Sequence, residues 1–515
     1  MSLHWLDIVM LVIYMGGMLS LGFWFSRKNT DTEEYFVGGR SHAGWVIGLS
    51  LVGTSISSIT FLAYPADAFK TAWLRFLPNL MMPLGILIAA RVFLPFFRRR
   101  KITSAYEYLE DRFGPSIRVY GSLAFIVGQL VRVSIILYLI SLVLHEMLGV
   151  DPVLSILIAG GFVAIYTIIG GIDAVIWTDV IQTIVLMLGG IISLIVIINI
   201  LPGGLGQIFS VALADGKFGL SDLHNGQLVD APWGFSLQEK TVTMMLVLGL
   251  VNWLTEYSSN QNVVQRFAAS KSSKEARKAM WIGVSTSLPI WAFYMFLGTS
   301  MYVLFKVFPT IESSEILVGV RKAEQIFPFF IMNYLPPGIT GLVIAAALAA
   351  AMSSLDSSIN AISTVSVTDF YRRYLAPNRE DRHYLKAAWW IAGFAAVFMI
   401  GGAIVLSKSA SQTMQDTATI LVSLLGGGLM GMYLLGFLTK KGDARSVWFG
   451  IVFTMTFTGW SILAKNDMLP EILQAPFDLY YTGIFGNLIM FVVGYVVGTI
   501  WSKKERDLSQ LTIWH

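Results

Sequence analysis

The chain has 515 residues, 55% of them hydrophobic and 13% charged, with mean hydropathy +0.67 and a formal net charge of +4. Soluble domains carry about 25% charged residues, so this composition marks an all-α polytopic membrane protein, and the small positive excess reads as loop asymmetry rather than nucleic-acid affinity. With no cysteine there are no disulfides, thiolate metal sites or cysteine nucleophiles. The six histidines lack metal-ligand spacing and no phosphate-binding GxxxxGK[ST] loop is present, so ATP is not the expected energy source. No soluble block exceeds about 40 residues, so an appended sensor or kinase domain is not expected; no obligate protein partner is apparent from the sequence.

Apolar stretches of roughly 20 residues mark membrane-spanning helices. About thirteen follow along the chain, near 5–25, 44–66, 76–97, 119–148, 152–170, 172–201, 241–264, 279–305, 328–364, 387–407, 415–438, 446–464 and 480–501. Only Gly170-Gly171 separates the fifth from the sixth. The first is no cleavable signal peptide, because Lys and Arg follow it and none precedes it.

Basic residues crowd alternate connections: Arg27, Lys28 and Arg40; Arg98 to Lys101, Arg112 and Arg118; Arg266, Lys271, Lys274, Arg277 and Lys278; Arg372, Arg373, Arg379, Arg382 and Lys386; Lys440, Lys441 and Arg445; Lys503, Lys504 and Arg506. The positive-inside rule then sets the N-terminus outside and the C-terminus inside. The Gly-rich stretch at about 202–240 is expected as an external loop, and 104–114 as a short amphipathic helix on the cytoplasmic face.

Several spans carry polar residues at membrane depth. Span two holds Gly53, Thr54, Ser55, Ser57, Ser58 and Thr60. These make a weak continuous helix, and unwinding there frees carbonyls for a cation and amides for an anion; close packing through small residues is the other reading. Span seven holds Asn252, Thr255, Glu256, Ser258, Ser259, Asn260, Gln261 and Asn262, too polar for a lipid-facing helix. Spans two and seven are five apart. They fit as the first helices of two inverted five-helix repeats, 44–201 and 241–438, in a single transmembrane domain covering 1–515, with an extra N-terminal helix at 5–25 and two C-terminal helices at 446–501.

Arg132 lies too deep in span four to snorkel. It is either a clamp for an anionic group, since guanidinium pairs with carboxylate in a fork, or one half of a structural ion pair with an acid such as Glu256. Asp179, near the start of span six, is either an interfacial helix-end carboxylate or an ion ligand. In span nine, Ser353, Asp356, Ser357 and Asn360 share one face, with Ser354 and Ser358 beside it. Back-bonding to i−4 carbonyls accounts for the serines but not for a carboxylate, which costs several kcal/mol at bilayer depth. Hard cations such as sodium take oxygen ligands of this kind, so span nine is read as the wall of an ion site.

Taken together, the chain resembles the sodium:solute symporter family, and within it the bacterial sodium–sialic acid symporters. The resemblance is carried by Ser55 to Phe61 with Pro65 and Ala68, Ile102 to Glu110, Arg132, Gly170-Gly171 with Val175 to Gln182, Val263 to Arg266, and Ala349 to Ser354. It implies the leucine-transporter-type fold and one or two Na+ ions as coupling ions. The main sodium site would be formed by carbonyls of Gly53, Ile56 and Ala350 with hydroxyls of Ser353 and Ser354, and a second by Asp179, Ser353, Asp356 and Ser357. The sialate carriers have serine at the position of Asp356, so this chain brings two carboxylates to that set, which would bind sodium more tightly or leave one protonated. The implied solute ligands are Ser57, Thr60, Arg132 and Asn79, the last replacing a glutamine, while Arg75 replaces an aromatic residue of that pocket.

The reading is a sodium-coupled symporter in a bacterial cytoplasmic membrane. It imports an organic, anionic solute such as sialic acid, another sugar acid or a smaller carboxylate. The rivals are a neutral-sugar or proline carrier, against which Arg132 argues, and an intramembrane aspartyl enzyme, which would need Asp179 and Asp356 to share a proton.

Overall fold

The structure, a computed structural model, describes residues 3–99, 101–224, 227–408, 427–465, 469–478, 480–501 and 507–514. The helices that build the site are α1 (Trp5–Ser26), α2 (Gly44–Ser55), α3 (Ser58–Lys70), α4 (Pro115–Leu148), α5 (Pro152–Ile200), α6 (Val242–Ser259), α7 (Gln261–Ala269), α8 (Ser273–Val307), α9 (Ile339–Val365) and α10 (Asp381–Lys408). Leu429–Leu438, Ala444–Lys465 and Tyr481–Trp501 follow as α11, α12 and α13.

Among the described residues, nine helices are long and apolar enough to cross a membrane, or ten if the bent pair α2 and α3 is one span. The expected count of thirteen goes beyond this, for identifiable reasons. Two expected spans lie within the 49 residues of α5, which if straight would run about 74 Å, more than twice the ~30 Å hydrocarbon core. The helix breaks inside, at Gly171, with φ 62° and ψ −161°, a conformation closed to residues with a Cβ. Span seven is divided into α6 and α7 by its polar centre, and span eleven begins among residues outside the described set.

Two expected spans are less regular than read from the sequence. Span three is divided into Leu74–Met81, Met82–Arg91 and Phe93–Arg99. Span nine does not begin at 328: Ile326–Tyr334 is a separate short helix, and α9 starts after Leu335-Pro336-Pro337-Gly338. Proline lacks the N–H a helix interior needs. The 202–240 stretch is partly ordered, as helix Gly204–Ala214 and an antiparallel hairpin pairing Ser221–His224 with Gln227–Asp230. Lys217, just past that helix, donates from Nζ to Phe69 O at 2.8 Å, capping one of the terminal carbonyls of α3.

Helix α9 is the centre of the molecule. Every residue from Val343 to Val365 is buried, against α5, α4, α1 and α10. Its N-terminus is capped by Asp7 of α1, whose Oδ1 accepts from Gly338 N at 2.6 Å and Gly341 N at 2.8 Å.

The basic loops form a second network. Glu107–Phe113 is the expected short helix, and the segment before it grips the break between α6 and α7. Gln261 Nε2 donates to Thr103 O at 2.7 Å, Gln261 Oε1 accepts from Ala105 N at 2.7 Å, and Tyr106 OH donates to Ser259 O at 2.9 Å. Arg118 donates from Nε to Asp369 Oδ1 at 2.9 Å and from Nη1 to Glu110 Oε2 at 2.8 Å, and Arg373 also donates to Glu110. The bonds from Arg373, then Arg118, hold Glu110 at about 2, against an ordinary 4.5. A carboxyl depressed in this way stabilises the fold fully above pH 4.5 and loses that contribution as pH falls toward 2. The Tm gap between wild type and Glu110→Gln is therefore expected to be constant above about pH 5 and to close between pH 4.5 and 2, read by thermal melts in detergent.

Candidate functional site

The site forms where two helices break. Between α2 and α3, Ile56 (φ −97°, ψ 114°) and Ser57 (φ −120°, ψ −176°) are extended, and the two helices bend by 58°. Thr54 and Ser55 hydroxyls bond back to Ser50 O and Leu51 O at 2.9 and 2.8 Å, competing locally with the helix, and Ser57 Oγ caps α3 by accepting from Ile59 N at 3.3 Å. Asn260 (φ −83°, ψ 116°) plays the corresponding part between α6 and α7: its Oδ1 accepts from Asn262 N at 2.9 Å and its Nδ2 donates to both Glu256 oxygens. Short polar caps of this kind stabilise a helix start after a break. Of the two readings of span two, unwinding is the one realised.

The first break exposes oxygen toward α9. Among the described residues no backbone N–H bonds to the carbonyl of Gly53 or Ile56. Ser353 Oγ lies 3.4 Å from Ile56 O and 3.3 Å from Ala350 O. Ser354 Oγ is buried with no hydrogen-bond partner among the described residues. Gly53, Ile56, Gln182, Ala350 and Ser353 line a crevice between these helices. Two freed carbonyls, a third on α9 and the Ser353 hydroxyl border that crevice, neutral oxygens of the kind a hard monovalent cation takes.

Asp356 lies one turn further along α9, and Asp179 is carried by α5. Asp179 is fully buried and ion-paired to Arg266, Nη2 to Oδ2 at 2.7 Å. Ser50 Oγ donates to the same oxygen at 2.6 Å. Arg266 also donates from Nε to Ser50 Oγ at 2.8 Å, from Nη1 to Asn262 O at 2.8 Å and from Nη2 to Ser357 Oγ at 2.7 Å. Read from the sequence as a basic loop charge, Arg266 is instead 1% exposed, because α7 carries the helix on past Asn260 and turns this side chain inward. Asp356 has no cationic partner among the described residues. Its Oδ2 accepts from Tyr166 OH at 2.7 Å and Thr178 Oγ1 at 3.3 Å, and its Oδ1 from Ser357 N at 2.6 Å. Two carboxylates and one guanidinium thus share a dry volume, with Asp179 Oδ1 accepting nothing among the described residues. Gly53 lets α2 approach: a Cβ there would lie 3.0 Å from Asp179 Cβ.

The expected solute ligands are less closely grouped. Ser57, Thr60 and Asn79 are buried. Thr60 Oγ1 accepts from Trp291 Nε1 at 3.2 Å, and Asn79 Nδ2 donates to Tyr64 OH at 2.7 Å. No hydrogen bond joins Arg132 to any of them. Arg132 is half-buried, without a hydrogen bond or ion pair among the described residues, and Glu256 is taken by Asn260, so the structural ion pair is not formed. Arg132 lies one turn beyond Gln129, whose Oε1 accepts from Ser358 of α9 at 3.0 Å, so it sits on the face of α4 that meets the serine-rich helix. Ser50, Tyr166, Thr178 and Arg266 complete the acid cluster and were not singled out from the sequence.

A model of the sodium:solute symporter family matches residues 35–452. The chain belongs to that family. It is similar to a sodium/sialic acid symporter of Proteus mirabilis, 31% identical over 98% of both chains. It is also similar to sodium-coupled monocarboxylate transporter 1 of Mus musculus, 27% identical over 92% of this chain and 77% of that one. Among solved structures, a Na+-coupled sialic acid symporter in a substrate-bound, outward-open state superposes with a TM-score of 0.85 at 30% identity, covering 96% of this chain and 98% of that one. The symporter is therefore a multi-pass transporter of the leucine-transporter type, not an enzyme, and sodium is its coupling ion.

Proposed function

We propose that this symporter imports an organic anion carrying a carboxylate, of the sialic acid type, across a bacterial cytoplasmic membrane. The observation that supports it best is Arg132: a half-buried guanidinium in a membrane helix, with no acid of the protein to neutralise it among the described residues. A charge at that depth is costly without a counter-ion, and a solute carboxylate supplies one. Ser57, Thr60 and Asn79 are proposed to share the solute. The N-terminus is assigned to the outside and the basic loops to the cytoplasm, with 44–201 and 241–438 as inverted repeats.

In the same reading, Gly53, Ile56, Ala350, Ser353 and Ser354 hold the main sodium ion. It bridges the break of α2 and α3 to α9 and favours the outward-open state. Solute then closes the outer side, and loss of sodium inside releases it. Asp179, Ser353, Asp356 and Ser357 are proposed to hold a second. With both acids ionised, Arg266 leaves one negative charge there, which one sodium ion would balance. One charge crossing 100 mV supplies about 2.3 kcal/mol, so two sodium ions supply about 4.6, more than a thousandfold accumulation before the solute's own charge is counted.

The test is a thermal-shift screen of the purified protein against sugar acids and small carboxylates, with and without sodium. A ligand that binds only the folded state raises its stability. A sialic acid or carboxylate shift that needs sodium is expected. Shifts from neutral sugars or proline alone would sink the anion reading.

A further inference from the structure

The last helix of the third span, Phe93–Arg99, runs beside the start of α8, with a cavity of about 270 Å³ between them. Ala90, Leu94, Pro95, Arg98, Ser273 and Arg277 line it. Leu94 and Arg98 share one face of the first helix, and Ser273, Arg277 and Trp281 one face of α8, at four-residue steps. One wall is therefore hydrocarbon, and two guanidiniums stand at its polar end. Trp281 is 44% exposed, as tryptophans are at the level of lipid headgroups, and Arg277 lies one turn beyond it.

No acid among the described residues pairs with either guanidinium. Arg98 donates from Nη1 to Phe267 O at 3.0 Å, Ala268 O at 3.3 Å and Ser270 O at 3.0 Å, closing the carbonyl end of α7. Its Nε is buried with no hydrogen-bond partner among the described residues. The charge that acts on it from nearby is another cation, Arg40. Around Arg277 the segment 271–278 holds Lys271, Lys274 and Lys278 against a single acid, Glu275, whose Oε2 is taken by Gly44 N at 2.5 Å. Positive charge therefore accumulates at the mouth of an apolar cleft, the pattern that binds anionic headgroups between transmembrane helices.

We propose that this cavity binds an anionic phospholipid, with its phosphate between Arg98 and Arg277 and an acyl chain along Leu94 and Pro95. Guanidinium groups suit a phosphate because they meet its oxygens in a planar fork. The lipid also bears on transport. Arg98 holds the end of α7, and α7 carries Arg266 to Asp179, so a lipid anchoring Arg98 braces the helix that serves the acid cluster. The choice of the cytoplasmic leaflet rests on the assignment of the basic loops to that side.

The purified full chain in detergent is titrated with phosphatidylglycerol, with phosphatidylcholine and with inorganic phosphate, and thermal unfolding is followed. Phosphatidylglycerol is expected to raise Tm, while phosphatidylcholine and inorganic phosphate leave it unchanged. Arg98→Gln also loses the α7 cap, so the exposed Arg277 carries the test. Arg277→Gln should need about tenfold more phosphatidylglycerol for half the shift, the lower end of what one charge-assisted hydrogen bond contributes, with an unchanged Tm before lipid is added. Arg382→Gln removes an equal, exposed charge from the start of α10 and should titrate as wild type. Equal weakening in the two variants would mean diffuse surface charge, and a shift from inorganic phosphate as large as the lipid's would mean a soluble anion. Either result overturns the lipid site, as does a wild-type titration in Arg277→Gln or no shift at all. Binding in detergent depends on neither solute nor sidedness, so its failure leaves the transport reading intact, and a failure of sodium-driven uptake leaves the lipid site intact.

Discussion

Arg266→Met is expected to destabilise the protein by about 3–5 kcal/mol, the cost of stranding one member of a buried ion pair. Asp179 is fully buried and its only cationic partner among the described residues is Arg266. The same guanidinium serves Ser50, Asn262 O and Ser357, bringing α2, α5, α7 and α9 together at one point. Arg266→Lys should recover only part of the loss, because a point charge cannot span a planar fork of partners. The double variant Arg266→Met with Asp179→Asn should be more stable than Arg266→Met alone, since it removes the stranded charge. Thermal unfolding in detergent at fixed sodium concentration reads all three. An Arg266→Met protein as stable as wild type would mean the pair contributes nothing to the fold.

Arg132→Ala should do the opposite. With no protein partner among the described residues to strand, its effect on stability is expected within about 0.5 kcal/mol of zero. Losing a charge-assisted contact to the solute removes about 2–3 kcal/mol of binding, or roughly a 30- to 150-fold loss of carboxylate uptake. Uptake lost with stability kept separates a solute ligand from a structural residue. If Arg132→Ala transports a carboxylate at wild-type KM, the anion site lies elsewhere.

How much of this was legible depended on how unusual each residue is in its setting. Carboxylates and hydroxyl clusters are rare in membrane helices, so Asp179, Asp356 and the Ser353–Ser354 pair stood out, as did the weak helix formers around Ser57 and Asn260 where the two helices break. Arg266 did not stand out, because it sits at the end of a span and precedes Lys271 and Lys274, where arginine is commonplace. Its position four residues beyond Asn262 was a usable signal, since a helix restarting at Gln261 turns both inward. Tyr166 was hidden for another reason: tyrosine is ordinary in such helices, and only the fold brings it to Asp356 across 190 residues. The start of α9 was legible and missed, because Pro336-Pro337-Gly338 is a strong break signal inside an otherwise apolar run.

The central claim is that a sodium gradient drives accumulation of a carboxylated solute through the site between the broken α2–α3 helix and α9. Uptake of labelled N-acetylneuraminate into proteoliposomes, with sodium outside and potassium inside, tests it most directly. The predicted result is accumulation above equilibrium that vanishes when external sodium is replaced by choline and is severely reduced in Arg132→Ala. Equal uptake in sodium and in choline would contradict it.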